Sequence, residues 1–317
     1  MAFWDYATDV RIYVVVGIVL AMIIGSVGSI AAELSIIILI MQMTASLHGL
    51  SIRKEDFKKD FKPALFSVVC CLVISTVTAL AMGLFFYDSN KAVWYGWVML
   101  AAVPSAVSVI TIALMMKGNM PMAMISMVFI YLIAFVMTPL MTSHLIGDAI
   151  SPMEILKYIV LFIAIPVILN LPLSRVKIER KYKVTFINCM MCLLILFAFG
   201  KCRECVLNDL GLLCIVIVMC AIRTFGVGAL FMYALRKRGV PRDNIVIYTG
   251  FTVWKNSGLA SSMCLLLLSS YPEAAMVCAV SLVMESVWFA VTNKSIATYW
   301  PADVYPAETK EFPGTAE

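Results

Sequence analysis

The chain has 317 residues, of which 62% are hydrophobic and only 14% charged, and its mean hydropathy is +0.97. A soluble domain carries roughly 25% charged residues, so these charges are too few to coat a water-exposed surface and lipid must face much of the chain. The net charge of +5 is gathered in a few short clusters rather than in a continuous stripe, which excludes a protein that tracks a nucleic-acid backbone.

A helix needs about 20 mostly apolar residues to cross the hydrocarbon core. In chain order, such runs fall at 12–27, 29–47, 63–86, 92–116, 121–143, 154–172, 184–200, 207–235, 245–269 and 273–293. The first is kept as a helix and not a signal peptide, because no small-residue cleavage pattern follows it. Residues 25–29 alone separate the first two runs. Charge tests this division independently. With ten helices and both termini on one side, that side receives 18 of the 24 Lys and Arg residues. The other side holds Lys91, Lys157, Lys201 and Arg203, and Arg223 and Lys255 lie inside runs. Such a split is what the positive-inside rule predicts, and removing one helix would scramble it. The expectation is a multi-pass protein of the plasma (inner) membrane with both termini cytoplasmic.

Ten helices divide into two five-helix halves, 1–148 and 149–300, followed by a short tail, 301–317, that reads as disordered. Five helices per half make the second half inverted relative to the first. Run 4 is interrupted at Val103-Pro104-Ser105, with Ser108 and Thr111 beyond. Run 9 is interrupted at Thr252 through Gly258, which includes Lys255, Asn256 and Ser257. A broken helix leaves backbone groups that lipid cannot satisfy, and matching breaks in two halves point to a transporter's midplane site.

Three charges sit at mid-depth: Lys255, Arg223 and Glu285. Lysine at a helix centre costs about 2.5–3.5 kcal/mol on insertion scales, so Lys255 must face a cavity, a carboxylate or a bound anion. Arg223 and Glu285 read either as an intramembrane ion pair or as functional groups. Most of the ten cysteines fall inside apolar runs, where Cys acts as a small hydrophobe. Cys202 and Cys205 read as a CxxC in a short polar loop that could close a disulfide. The methionines around the turn between runs 4 and 5 (Met115, Met116, Met120, Met122, Met124, Met127) read as packing. No HExxH, P-loop or GxSxG pattern occurs, so neither enzyme chemistry nor a metal site is expected.

Several of these stretches resemble the bile acid:sodium symporter family. Leu50 through Lys59, followed by Lys62-Pro63-Ala64, is similar to that family's loop between helices 2 and 3. Val103-Pro104 through Lys117-Gly118-Asn119 resembles its helix 4 motif, and Asn256-Ser257-Gly258-Leu259-Ala260 the end of its helix 9 motif. The resemblance implies an all-α membrane fold of ten helices in two inverted repeats, with broken helices 4 and 9 crossing at the midplane beside a panel domain. It implies transport of organic anions by alternating access. The departures are specific. Ser105 and Ala106 stand where the family has two glycines, and Val109-Ile110 where it has Ser-Asn. Phe251 stands for its Glu and Lys255 for its Gln, while Ala123 and Met127 align with two of its hydroxyls. The family's sodium ligands are therefore missing, and Lys255 takes the place of a bound cation. The expected substrate is a small organic anion held by Lys255, Asn256, Ser257, Ser105, Ser108 and Thr111, with the helix breaks at Pro104 and Gly258. No cofactor is expected. Proton coupling through Lys255 remains open, as do a conventional sodium symporter, a transport-dead sensor or scaffold, and a monomer or a homodimer in the bilayer.

Overall fold

The computed structural model describes residues 3–28, 30–49, 54–147 and 150–300. The loop residues 50–53, the junction between the halves at 148–149 and the tail 301–317 lie outside the described residues. α1 spans Phe3–Ala7, α2 Val10–Ile24 and α3 Ile30–Leu47. α4 (Lys54–Val69) runs through a π-helical turn at Cys70–Ser75 into α5 (Thr76–Leu84). α6 (Lys91–Ala102) and α7 (Ser108–Met115) are two pieces of one interrupted helix. α8 (Met120–Ile146), α9 (Pro152–Leu173) and α10 (Arg180–Asn208) follow. α11 (Leu210–Ala221) passes through a second π-helical turn, Ile222–Gly226, into α12 (Val227–Lys237). α13 (Arg242–Val253) and α14 (Ser257–Leu267) form a second interrupted helix, and α15 (Pro272–Tyr299) ends the described chain. Among the described residues no strand forms; one isolated antiparallel bridge joins Ser105 to Lys255.

Among the described residues, seven helices are long and apolar enough to cross a membrane: those within 30–47, 60–84, 120–146, 153–173, 180–208, 210–237 and 272–296. α2 and α14 are apolar but shorter. Aliphatic side chains such as Ile23, Val136, Leu140 and Leu230 point outward, as suits contact with lipid tails. α14 is the opposite case, since every residue from Ser257 to Leu265 is buried, and a helix covered on every face lies at the centre of a bundle.

Local chemistry sets the helix ends. Asn90 and Asn119 cap α6 and α8, accepting from Val93 N and Met122 N at 3.1 Å each, which satisfies donors that a helix start leaves free. α6 stops because Val103 precedes Pro104 and takes an extended conformation, φ −69° and ψ 151°, the α region being crowded out by the proline ring. α13 stops without a proline: Trp254 is extended at φ −99°, ψ 106°, and the pairing across the bridge holds it there. Asn256 N donates to Pro104 O at 2.8 Å, and Ser105 Oγ donates to Trp254 O at 2.5 Å.

Packing joins the halves. α10 lies against α2, α3, α14 and α15, while α6 lies against α5, α8, α14 and α15. The α6–α15 contact is tight enough to exclude a methyl group. A Cβ on Gly96 would stand 2.5 Å from Ala274 O and 3.0 Å from Val277 Cβ. Gly96→Ala is expected to part these helices and cost about 1–3 kcal/mol, read as a lower melting midpoint in detergent. At Gly226 the first atom met is Ile222 Cγ2 at 3.7 Å, so Gly226→Ala is expected to melt no lower than wild type.

Candidate functional site

The two interruptions meet, and what surrounds them follows from their loose backbone ends. Lys255 is completely buried. Its ammonium donates to Ala101 O at 2.9 Å, Val103 O at 3.0 Å and Thr76 Oγ1 at 3.0 Å. The first two acceptors are the carbonyls freed at the end of α6, where the helix carries partial negative charge. The third sits on the residue that follows the first π-helical turn. All three donor positions of the ammonium are used.

Arg223, in the second π-helical turn, is equally buried. It donates to Glu285 Oε1 at 2.5 Å, Ser281 Oγ at 2.8 Å and Val253 O at 3.2 Å, the last a carbonyl at the end of α13. Glu285 also accepts from the Lys255 backbone N–H at 3.2 Å and from Ser257 Oγ at 2.8 Å. The carboxylate thus occupies the start of α14, the positive end of that half-helix. The sequence left open whether Arg223 and Glu285 are paired; the structure pairs them.

Beside the crossing lies a cavity of about 520 Å³. Its wall on one side is built from the breaks, α7, α14 and α15: Val107, Ser108, Thr111, Asn256, Ser257, Gly258, Ser286 and Phe289 among others. The facing wall belongs to α3 and α10 (Leu39, Gln42, Met43, Ser46, Ile187, Asn188, Met191, Leu194). Arg180, Lys181 and Lys183, at the start of α10, complete the lining. No Asp or Glu is present among the described lining residues. Asp9 lies between the lining residues Thr8 and Val10, but Arg11 grips it through Nε–Oδ1 at 2.9 Å and holds its carboxyl below the usual carboxylate range. Lys183 Nζ donates to His48 O at 3.1 Å, tying α10 to the end of α3. Lys181 pairs with Glu179 at 2.7 Å, a solvent-exposed pair of small energy.

The six expected ligands divide three ways. Ser108, Thr111 and Asn256 line the cavity; Asn256 also caps α14, accepting from Leu259 N at 3.1 Å. Lys255 and Ser257 reach the lining too, but their polar tips are committed to protein oxygens. Ser105 is buried outside the lining and serves the bridge. Gly258 lines the cavity and Pro104 accepts across the bridge. Gln42, Ser46, Asn188 and the basic residues of the mouth were missed. The signal existed in α3: Leu39, Gln42, Met43 and Ser46 fall at helical spacing, which puts two polar side chains on one face of an apolar run. The CxxC reading is corrected. Cys202 and Cys205 lie inside α10, not in a loop; both are free thiols, and Cys202 Sγ donates to Ala198 O at 3.2 Å. The helix extends to Asn208 because Cys202 and Val206 pack inward.

Long apolar helices with lipid-compatible flanks, two of the helical stretches broken at a shared point beside a cavity, define an all-α multi-pass membrane protein. No protein-family model and no curated protein matches the chain, and the cavity's own chemistry carries its interpretation.

Proposed function

We propose that this chain is a secondary carrier of small organic anions that works by alternating access, with ten membrane crossings in two inverted five-helix repeats. The supporting pattern is internal. The third and eighth crossings each contain a π-helical turn, and the fourth and ninth each break. Contacts repeat in kind: α2 packs on α10 as α9 packs on α3, and α6 touches α14 as α13 touches α7. An antiparallel bridge at the breaks suits two repeats of opposite orientation. With both termini cytoplasmic, as the charge distribution implies, a cavity lined at one end by Arg180, Lys181 and Lys183 fits an inward-facing state of such a carrier. The observation that carries the substrate class is a lining with basic residues at the mouth, hydroxyls and an amide at the floor, and no acid among those described. Lys255, held by two helix-end carbonyls and a hydroxyl, replaces an exchangeable cation at the first break.

The test is uptake of a panel of labelled carboxylates into proteoliposomes with sodium and proton gradients applied separately. Saturable, sodium-independent uptake is expected. Reversing Arg180, Lys181 and Lys183 together to Glu is expected to raise KM roughly tenfold at low salt, with the difference shrinking as salt is added, and to change the maximal rate little. Absence of saturable uptake for every carboxylate, or flux indifferent to that reversal, overturns the reading. Substrate binding without flux would favour a sensor.

A further inference from the structure

The carbonyl ends of the two interrupted helices meet the same chemical problem and show the same answer. A helix end leaves carbonyls unpaired with a net partial negative charge. Inside a bundle they have no bulk water to meet. At the end of α6, Ala101 O and Val103 O receive the Lys255 ammonium at 2.9 and 3.0 Å. At the end of α13, Val253 O receives the Arg223 guanidinium at 3.2 Å. Each arrangement uses a residue placed by a π-helical turn: Thr76, just after the first, adds an acceptor to Lys255, and Arg223 sits inside the second. Both cations are covalently part of the chain and sealed from solvent, at 0% and 1% exposure.

We infer that Arg223 is the counterpart of Lys255: the two are tethered cations that cap the two broken helices, so that neither break has room or need for an exchangeable cation. Arg223 is a positioning residue, since it touches the end of α13 and, through Glu285, the start of α14, without reaching the cavity lining. A consequence for coupling rests on the carrier reading. Among the described buried groups at the crossing, Lys255 and Arg223 stand against Glu285 alone. The site therefore holds one surplus positive charge, which a monoanion would balance. A carrier whose cations cannot leave moves that anion with its charge, or exchanges it for another anion.

The test uses melting of the purified full-length protein, a readout that does not depend on transport. Wild type is expected to melt at the same temperature in sodium, potassium, methylammonium and methylguanidinium chlorides at matched low-millimolar concentration. Lys255→Ala is expected to melt several degrees lower and to recover part of the loss in methylammonium or sodium, because a ligand that binds only the folded state stabilises it. Arg223→Ala is expected to recover in methylguanidinium. If that variant fails to fold with Glu285 left unpaired, Arg223→Ala combined with Glu285→Gln carries the same measurement. A sodium-dependent rise in the wild-type midpoint overturns the inference by revealing an exchangeable site. So does indifference of both folded variants to every cation, which would mean the carbonyl ends need none. Loss of the transport reading, with no flux for any substrate, would leave these melting results unaffected.

Discussion

Lys255→Met is expected to abolish carboxylate flux and to lower the stability of the purified protein by about 3 kcal/mol or more. The side chain is nearly isosteric, so the loss is not one of packing. It comes from Ala101 O, Val103 O and Thr76 Oγ1, which lose a charged donor in a site with no solvent access. A buried acceptor left unpaired costs about 1–3 kcal/mol; Val103 O loses its donor outright, while Ala101 O keeps only the Thr76 hydroxyl at 3.0 Å. The end of α6 and the bridge to Trp254 and Asn256 should loosen with them, taking the cavity floor out of register. Lys255→Arg keeps the charge, but a planar fork cannot reproduce a three-way ammonium geometry, so partial stability without full flux is expected. Tryptophan-fluorescence melts and liposome uptake on the same preparations check both. A Lys255→Met protein that melts with wild type would show that the three contacts carry no weight.

The second large effect concerns Arg223 and Glu285. Removing either partner leaves an uncompensated charge in the core, a loss of about 3–5 kcal/mol for a buried pair. Arg223→Met and Glu285→Gln are each expected to fall in that range. The double variant Arg223→Met with Glu285→Gln is expected to lose less than the sum, with a coupling energy of about 1–3 kcal/mol. It will not return to wild type, because Glu285 also accepts from Lys255 N and Ser257 Oγ, and Val253 O would keep no guanidinium. Strict additivity would mean that the pair does not act as a unit.

These expectations show how unevenly the site could be read in advance. The break in the fourth apolar run was legible because a proline acts locally: Pro104 has no N–H and crowds Val103 out of the helix, whatever surrounds it. The break in the ninth was visible only as a polar interruption, since nothing at Trp254 forbids a helix. What stops α13 is a partner about 150 positions away in the chain, Ser105. The same contrast divides the charges. That Lys255, Arg223 and Glu285 had to be buried together with partners follows from the cost of ions in a membrane. Which atoms met them did not. Lys255 was expected to face a substrate and instead faces the end of α6. Ser105, expected to face the cavity, ties the breaks together. Arg180, Lys181 and Lys183 looked like ordinary loop charges until α10 brought them over the cavity.

Composition and local residue chemistry settle the class of the molecule: the apolar runs, their all-helical character and the sites where a helix could not continue undisturbed. These are decided by composition and by residues acting on their own backbone, so no neighbour in space is needed to read them. The partners that each interruption meets come from long-range packing. Hydrogen bonds are directional and short, and the groups freed at a helix end accept whichever donor packing delivers. That donor is Lys255 for one break and Arg223 for the other, and both choices depend on two halves of the chain folding against each other.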